Sequence, residues 1–147
     1  MIVLDSNILI RYCNPKDTAH AVSFAAVTRL QAEGRVLCIV PQNLYEFWAT
    51  ATRPITANGL GLSVAHAQSE IAKSKRFFRL LPDTPNLPGE WETVVFFHAC
   101  HGRVSYDARI VAAMNTYGIT EILTFNIPDF RRFPGVTILD PNSFFLP

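Results

Sequence analysis

The sequence has no surplus of either charge: 13 Lys and Arg stand against 12 Asp and Glu, a net charge of +1 over 147 residues. No global field draws such a chain to nucleic acid, so any binding of that kind has to come from local patches. Cysteine is scarce. Cys13, Cys38 and Cys100 are odd in number and far apart, and none forms a C-x-x-C pair. They give no disulfide framework, and two of them lie in apolar stretches where a free Cys acts as a small buried hydrophobe, which suits a reducing cytoplasm. No apolar stretch approaches the roughly 20 residues of a membrane span. The N-terminus shows no basic leader and carries Asp5 inside its apolar run, so a signal peptide is not expected either. Internal repeats, low-complexity segments and Gly-rich phosphate loops are also missing. What remains is a soluble, cytoplasmic globular chain of 49% apolar residues, long enough for one domain over residues 1–147.

The chain is organised around its first ten residues. Ile2, Val3 and Leu4 read as a short strand buried on both faces, and Asp5 follows directly, before Ser6, Asn7 and a second apolar run at Ile8–Ile10. An acid in that place is costly to bury ionised unless something pairs with it. A metal ion, a capping role toward a following helix, or both would answer that need. Further along, Asp17 or Thr18 can cap a helix to about Glu33, ended by Gly34. Val36–Val40 reads as a second strand. After Pro41 a helix runs from Gln42 or Asn43 to before Pro54, with Leu44, Phe47, Trp48 and Ala51 expected toward the core. Thr56–Leu62 reads as a loop, and Ser63 caps a helix over Val64–Leu81. A proline-rich connection follows, then helices from Gly89 to about His101 and from Ser105 or Asp107 to Tyr117. Glu121–Thr124 and Val136–Leu139 read as strands joined by a loop. The alternation predicts an α/β fold with a parallel central sheet flanked by helices on both faces. The terminal Phe144-Phe145-Leu146 is expected to close the core or to pack on a partner.

Four acids fall at the ends of these elements. Asp5 follows the first strand, and Glu46 lies near the start of the helix after the second. Asp107 opens the helix before the third strand, and Asp129, preceded by Asn126, comes just after that strand. In a parallel sheet these points converge on the carboxyl edge, where open α/β folds bind their ligands. Like charges brought together must share cations or protons. With no Cys/His set available, Mg2+ or Mn2+ suits the oxygen donors, and such a site suits hydrolysis of a phosphodiester.

Asp5-Ser6-Asn7-Ile8-Leu9, then Glu46, then Ser105-Tyr106-Asp107-Ala108, then Leu123-Thr124-Phe125-Asn126-Ile127-Pro128-Asp129-Phe130 together resemble the PIN-domain nucleases. Within that family the chain is most similar to the VapC-type toxins of bacterial toxin–antitoxin pairs, in the family's order over about residues 1 to 140. The resemblance implies a divalent-metal-dependent endoribonuclease that leaves a 5′-phosphate and a 3′-hydroxyl. It implies an RNA substrate (tRNA or another structured RNA), a cognate antitoxin and frequent homodimers. It makes Asp5, Glu46 and Asp107 the metal-holding acids, Ser6 and Thr124 supporting hydroxyls, and Asn7 a polar neighbour. Many family members carry an acid where Asn126 stands. Asn126 offers a carbonyl without charge, so Asp129 supplies the missing carboxylate or the site holds its metal more weakly.

Other residues carry weaker signals. Lys73, Lys75, Arg76 and Arg79 form the densest basic cluster, better read as a solvated face than as an RNA strip. Arg103, Arg109, Arg131 and Arg132 lie nearer the acidic edge and are better placed to hold phosphates. His98-Ala99-Cys100-His101 lacks a second ligand pair for zinc. Trp48 and Trp91 sit at helical core spacing and read as packing residues, not base platforms. Two competing functions remain. One is a PIN module without catalysis that binds RNA or protein, its site decayed at Asn126. The other is a phosphotransfer receiver or phosphatase, disfavoured because Asn7 stands where its second acid belongs.

Overall fold

A computed structural model describes residues 1–145. Five parallel strands form one sheet: β1 (Ile2–Leu4), β2 (Leu37–Ile39), β3 (Arg79–Leu80), β4 (Glu121–Leu123) and β5 (Thr137–Leu139), in the order β3-β2-β1-β4-β5. β1 lies at the centre, pairing Val3 with Cys38 on one side and Leu4 with Leu123 on the other. Successive side chains of a strand point to opposite faces, so both faces of β1 are apolar. Ile2 and Leu4 enter one core with Ile39, Leu123, Leu9, Val27 and Phe47. Val3 enters the other with Cys38, Ile122, Val111 and Met114. Helices α1 (Ser6–Tyr12), α2 (His20–Ala32), α3 (Pro41–Thr52) and α4 (Val64–Phe77) contribute to the first core. Helices α5 (Leu87–Phe97) and α6 (Val104–Thr116) contribute to the second. The predicted parallel sheet with helices on both faces is what the chain forms.

Where the elements differ from expectation, shortness or an absent stop signal is the reason. α1 begins at Ser6, directly after the strand, although Ile8, Leu9 and Ile10 give no helical alternation to read. α4 ends at Phe77 instead of Leu81, because Phe78 turns extended and Arg79–Leu80 pairs in parallel with Cys38–Ile39 as edge strand β3. Neither Gly nor Pro marks that change. α5 ends at Phe97, short of Gly102, with Ala99 left-handed (φ 45°) and the Cys100 N–H donating to the Val95 carbonyl. A fourth-strand loop contains helix α7 (Ile127–Phe130), for which Pro128 in the first turn is well suited. Gly34 and Gly118, the expected stops of α2 and α6, do adopt the left-handed conformation at φ 75° and 64°.

Leu44, Phe47 and Ala51 line the buried stripe of α3, as expected, but Trp48 does not join them and stands 36% exposed. One residue past Phe47, it is rotated about 100° off the stripe. Trp91 is half-buried against the second core, and its Nε1 donates to the Ser105 carbonyl at 2.9 Å. At the C-terminus Phe144 packs on the first core and Phe145 is exposed, while Leu146 lies outside the described residues. No helix among the described residues is long and apolar enough to cross a membrane.

Candidate active site

The connections leave β1 toward β2 on one side and β4 lies on the other, so the sheet has its topological switch point between β1 and β4. In open parallel sheets the crevice at the carboxyl ends of such strands is where ligands bind. Here it is a cavity of about 650 Å3 whose lining includes Asp5, Glu46, Asp107, Asn126 and Asp129. Four acids from four separate segments thus face one space.

Asp5 ends β1 and is only 6% exposed. Its Oδ2 accepts from Thr124 Oγ1 at 2.6 Å and from Asn7 Nδ2 at 2.6 Å. Burial pushes its pKa up to about 6 and the Glu46 charge adds to that, against the lowering effect of the Thr124 hydrogen bond. Thr124, fully buried after β4, also accepts from the Asn126 N–H at 2.8 Å and from Asn7 Nδ2 at 3.2 Å. Asn7 Oδ1 accepts from the Phe125 N–H at 3.3 Å. Asn7 and Thr124 therefore tie the corner after β1 to the corner after β4, with the Asp5 carboxylate clamped between them. Thr124→Val should destabilise the fold by about 1–2 kcal/mol in denaturant titration, because a buried acceptor and donor lose their partner together.

Ser6 is buried and its Oγ accepts from Asn43 Nδ2 at 3.0 Å. Asn43 is fully buried; it donates also to the Leu4 carbonyl at 3.1 Å and accepts from the Val40 N–H at 2.7 Å. It bolts the start of α3, and with it Glu46, to the end of β1. Gln42 is buried beside it and donates to Glu46 Oε1 at 2.7 Å. Neither residue stood out in the sequence beyond marking a helix start. Two consecutive amides in the first turn after a buried strand were the available signal.

Asp107 lies in the first turn of α6. Burial pushes its pKa up to about 7, reinforced by the charges of Asp5, Asp129 and Glu46 and opposed by Arg132. Asp129 sits in α7, where its Oδ2 accepts from Asn126 Nδ2 at 2.8 Å. The amide that replaces the expected acid thus holds the neighbouring carboxylate. Of the four candidate arginines, Arg103 lines the cavity, and Arg132 is close enough to act on Asp107. Arg131 is exposed and does not line it. Arg109 is engaged elsewhere, donating to Asp83 Oδ2 at 2.6 Å and Gln42 Oε1 at 3.3 Å. Lys73, Lys75, Arg76 and Arg79 are exposed and lie off the cavity; Lys73 pairs with Glu70 at 2.7 Å.

Among the described residues no group of three or more His, Cys, Asp and Glu side chains is gathered so as to hold an ion as placed. The acids ring the cavity instead of meeting at a point. That arrangement fits Mg2+ or Mn2+, which keep several of their own waters and take one or two carboxylates, and does not fit a closed zinc cage. A lining that includes four carboxyl groups, two of them pushed up to about 6 and about 7, is a place where a hard cation would be favoured.

No family model matches the sequence, and no curated protein is similar to it in sequence. Solved structures do match. DNA-bound VapBC from Salmonella typhimurium superposes with a TM-score of 0.71 at 20% identity, covering 96% of this chain and 99% of the other. VapBC2 from Rickettsia felis, bound to a promoter DNA fragment, gives 0.69 at 15%, covering 95% and 98%. VapC20 of Mycobacterium tuberculosis, described as a Sarcin-Ricin loop cleaving toxin, gives 0.61 at 22%, covering 83% and 87%. The chain has the PIN-like fold of VapC. In this chain the four acid-bearing corners are the carboxyl end of β1, the early turns of α3 and α6, and α7 after β4.

Proposed function

We propose that the protein is a Mg2+- or Mn2+-dependent endoribonuclease and the toxin of a toxin–antitoxin pair. The observation that carries this reading is the convergence of Asp5, Glu46, Asp107 and Asp129 on one cavity at the switch point of the sheet. Asp5, Glu46 and Asp107 would hold the ion, with Asp129 and the Asn126 carbonyl completing the set. When bound, the ion lowers the pKa of a water and neutralises charge on the scissile phosphate. The chain's own residues do the rest. Thr124 and Asn7 hold the Asp5 carboxylate in one orientation, and Asn126 holds that of Asp129. Arg103 at the cavity offers its guanidinium to the phosphate backbone.

The similarity to a Sarcin-Ricin loop cleaving toxin supports an RNA substrate. A cognate antitoxin is supported by the similarity to a toxin–antitoxin complex from Klebsiella pneumoniae, which matches at a TM-score of 0.65. Exposed apolar side chains, among them Phe96 and Phe97, give the antitoxin or a second copy of the chain surface to cover. The test is cleavage of total cellular RNA with metal removed and returned. EDTA should abolish cutting and excess Mg2+ or Mn2+ should restore it, with 5′-phosphate ends on the products. Cleavage that persists unchanged in EDTA would defeat the metal-dependent reading. Absence of both cleavage and Mn2+ binding at millimolar metal would favour the non-catalytic module.

A further inference from the structure

Gln42 lies one turn before Glu46 on α3, is 5% exposed, and has both ends of its amide engaged. Nε2 donates to Glu46 Oε1 at 2.7 Å and to the Tyr106 carbonyl at 3.0 Å. Oε1 accepts from Arg109 Nη1 at 3.3 Å. Arg109 is itself held by Asp83, whose Oδ2 accepts from Nη2 at 2.6 Å. These side chains form a line from the segment before α5, across α6, to the acid cavity.

The chemistry of the line is directional. The two ends of a glutamine amide have nearly the same size and opposite hydrogen-bonding character. Turned over, Gln42 would aim its oxygen at the Glu46 carboxylate and the Tyr106 carbonyl, both acceptors. Its nitrogen would face a guanidinium, which only donates. Arg109 and the Tyr106 carbonyl together fix which end of Gln42 faces Glu46. A guanidinium set directly on Glu46 would hold that carboxylate as firmly, but would also cancel the charge a cation requires. The neutral amide transmits orientation and withholds charge.

We propose that Gln42 is a positioning residue that aims Glu46 into the acid cavity, and that the Asp83–Arg109 ion pair locks the Gln42 amide in the orientation that does so. The proposal rests on the metal-dependent reading above and deepens it. Partners that orient metal-holding groups typically change metal affinity by about 10–100-fold when removed.

The test is calorimetric titration of the full chain with Mn2+, with melting in EDTA as the control for folding. Wild type is compared with E46Q, Q42L, R109M and the Q42L/R109M double variant. Q42L should weaken Mn2+ binding about tenfold. R109M should weaken it about threefold alone and add nothing in the Q42L background, because its effect passes through Gln42. On RNA, saturating Mn2+ should return the kcat of Q42L toward wild type, with KM for RNA unchanged throughout. Wild-type affinity in Q42L beside a clear loss in E46Q would overturn the positioning role and leave the metal reading intact. Additive losses in the double variant would overturn the lock. If E46Q binds Mn2+ as wild type does, Glu46 does not hold the ion and this proposal fails while the metal reading stands on the other acids; if wild type itself binds no Mn2+, the metal reading fails as well. Should Q42L not fold, Q42M carries the same comparison with an unbranched chain of similar length.

Discussion

Asp5→Ala should lower RNA cleavage by at least about 10^3-fold in kcat/KM, a loss of about 4 kcal/mol of transition-state stabilisation. Removing groups that merely orient metal-holding side chains costs about 10–100-fold, so removing a carboxylate that itself faces the cavity should exceed that range. The fold should survive the change. Asp5 is an acid whose burial is opposed by its own charge, as its raised pKa of about 6 shows, and its loss deletes that unfavourable group. Thr124 Oγ1 and Asn7 Nδ2 lose an acceptor but still reach one another at 3.2 Å. Melting in EDTA should therefore shift by only a few degrees while cleavage vanishes. Cleavage at the wild-type rate by the folded variant would remove Asp5 from the site.

The acids were legible in the sequence because a parallel sheet maps strand ends onto one edge. Once Ile2–Leu4 and Glu121–Thr124 are read as strands, Asp5 and the Asn126–Asp129 stretch must share that edge, whatever the loops between them do. Glu46 and Asp107 follow because each lies in the first turns of a helix packed beside it. What could not be read is what holds them. Asn43 makes three hydrogen bonds, and the two that join α3 to the end of β1 reach residues 37 and 39 positions away in the chain, a contact no local pattern announces. Arg109 shows the same limit from the other side. Its position two residues past Asp107 suggested a phosphate clamp, but the helix turns it toward Asp83 and Gln42 instead. The elements that escaped notice include two very short ones. β3 has two residues and α7 four, too few for periodicity to separate strand from helix from loop.

With metal removed, the unfolding free energy should fall as pH rises from about 4 to about 7. Asp5 titrates near its ordinary value in the unfolded chain and near 6 in the fold, so across this window the folded state holds more protons than the unfolded one. Stability then decreases with pH: the contribution is fully present below the unfolded pKa and is lost as pH passes through the folded one. A rise from the ordinary carboxyl value to about 6 corresponds to about 3 kcal/mol for Asp5 alone, and the group is buried enough that solvent screening removes little of it. Asp107, pushed up to about 7, acts in the same direction, but the two share their charges and their contributions do not simply add. Added Mg2+ should reverse the trend at the alkaline end, where the carboxylates are ionised and free to bind it. At about 100 times its Kd a ligand that binds only the fold contributes about 2.7 kcal/mol, comparable to the loss from Asp5. Urea titrations at a series of pH values, in EDTA and in excess Mg2+, would show both limbs. A flat or rising profile in EDTA would mean that the acids are neither buried nor mutually repelling. A falling profile that Mg2+ leaves untouched would mean that the crowding is real but that a divalent cation does not relieve it.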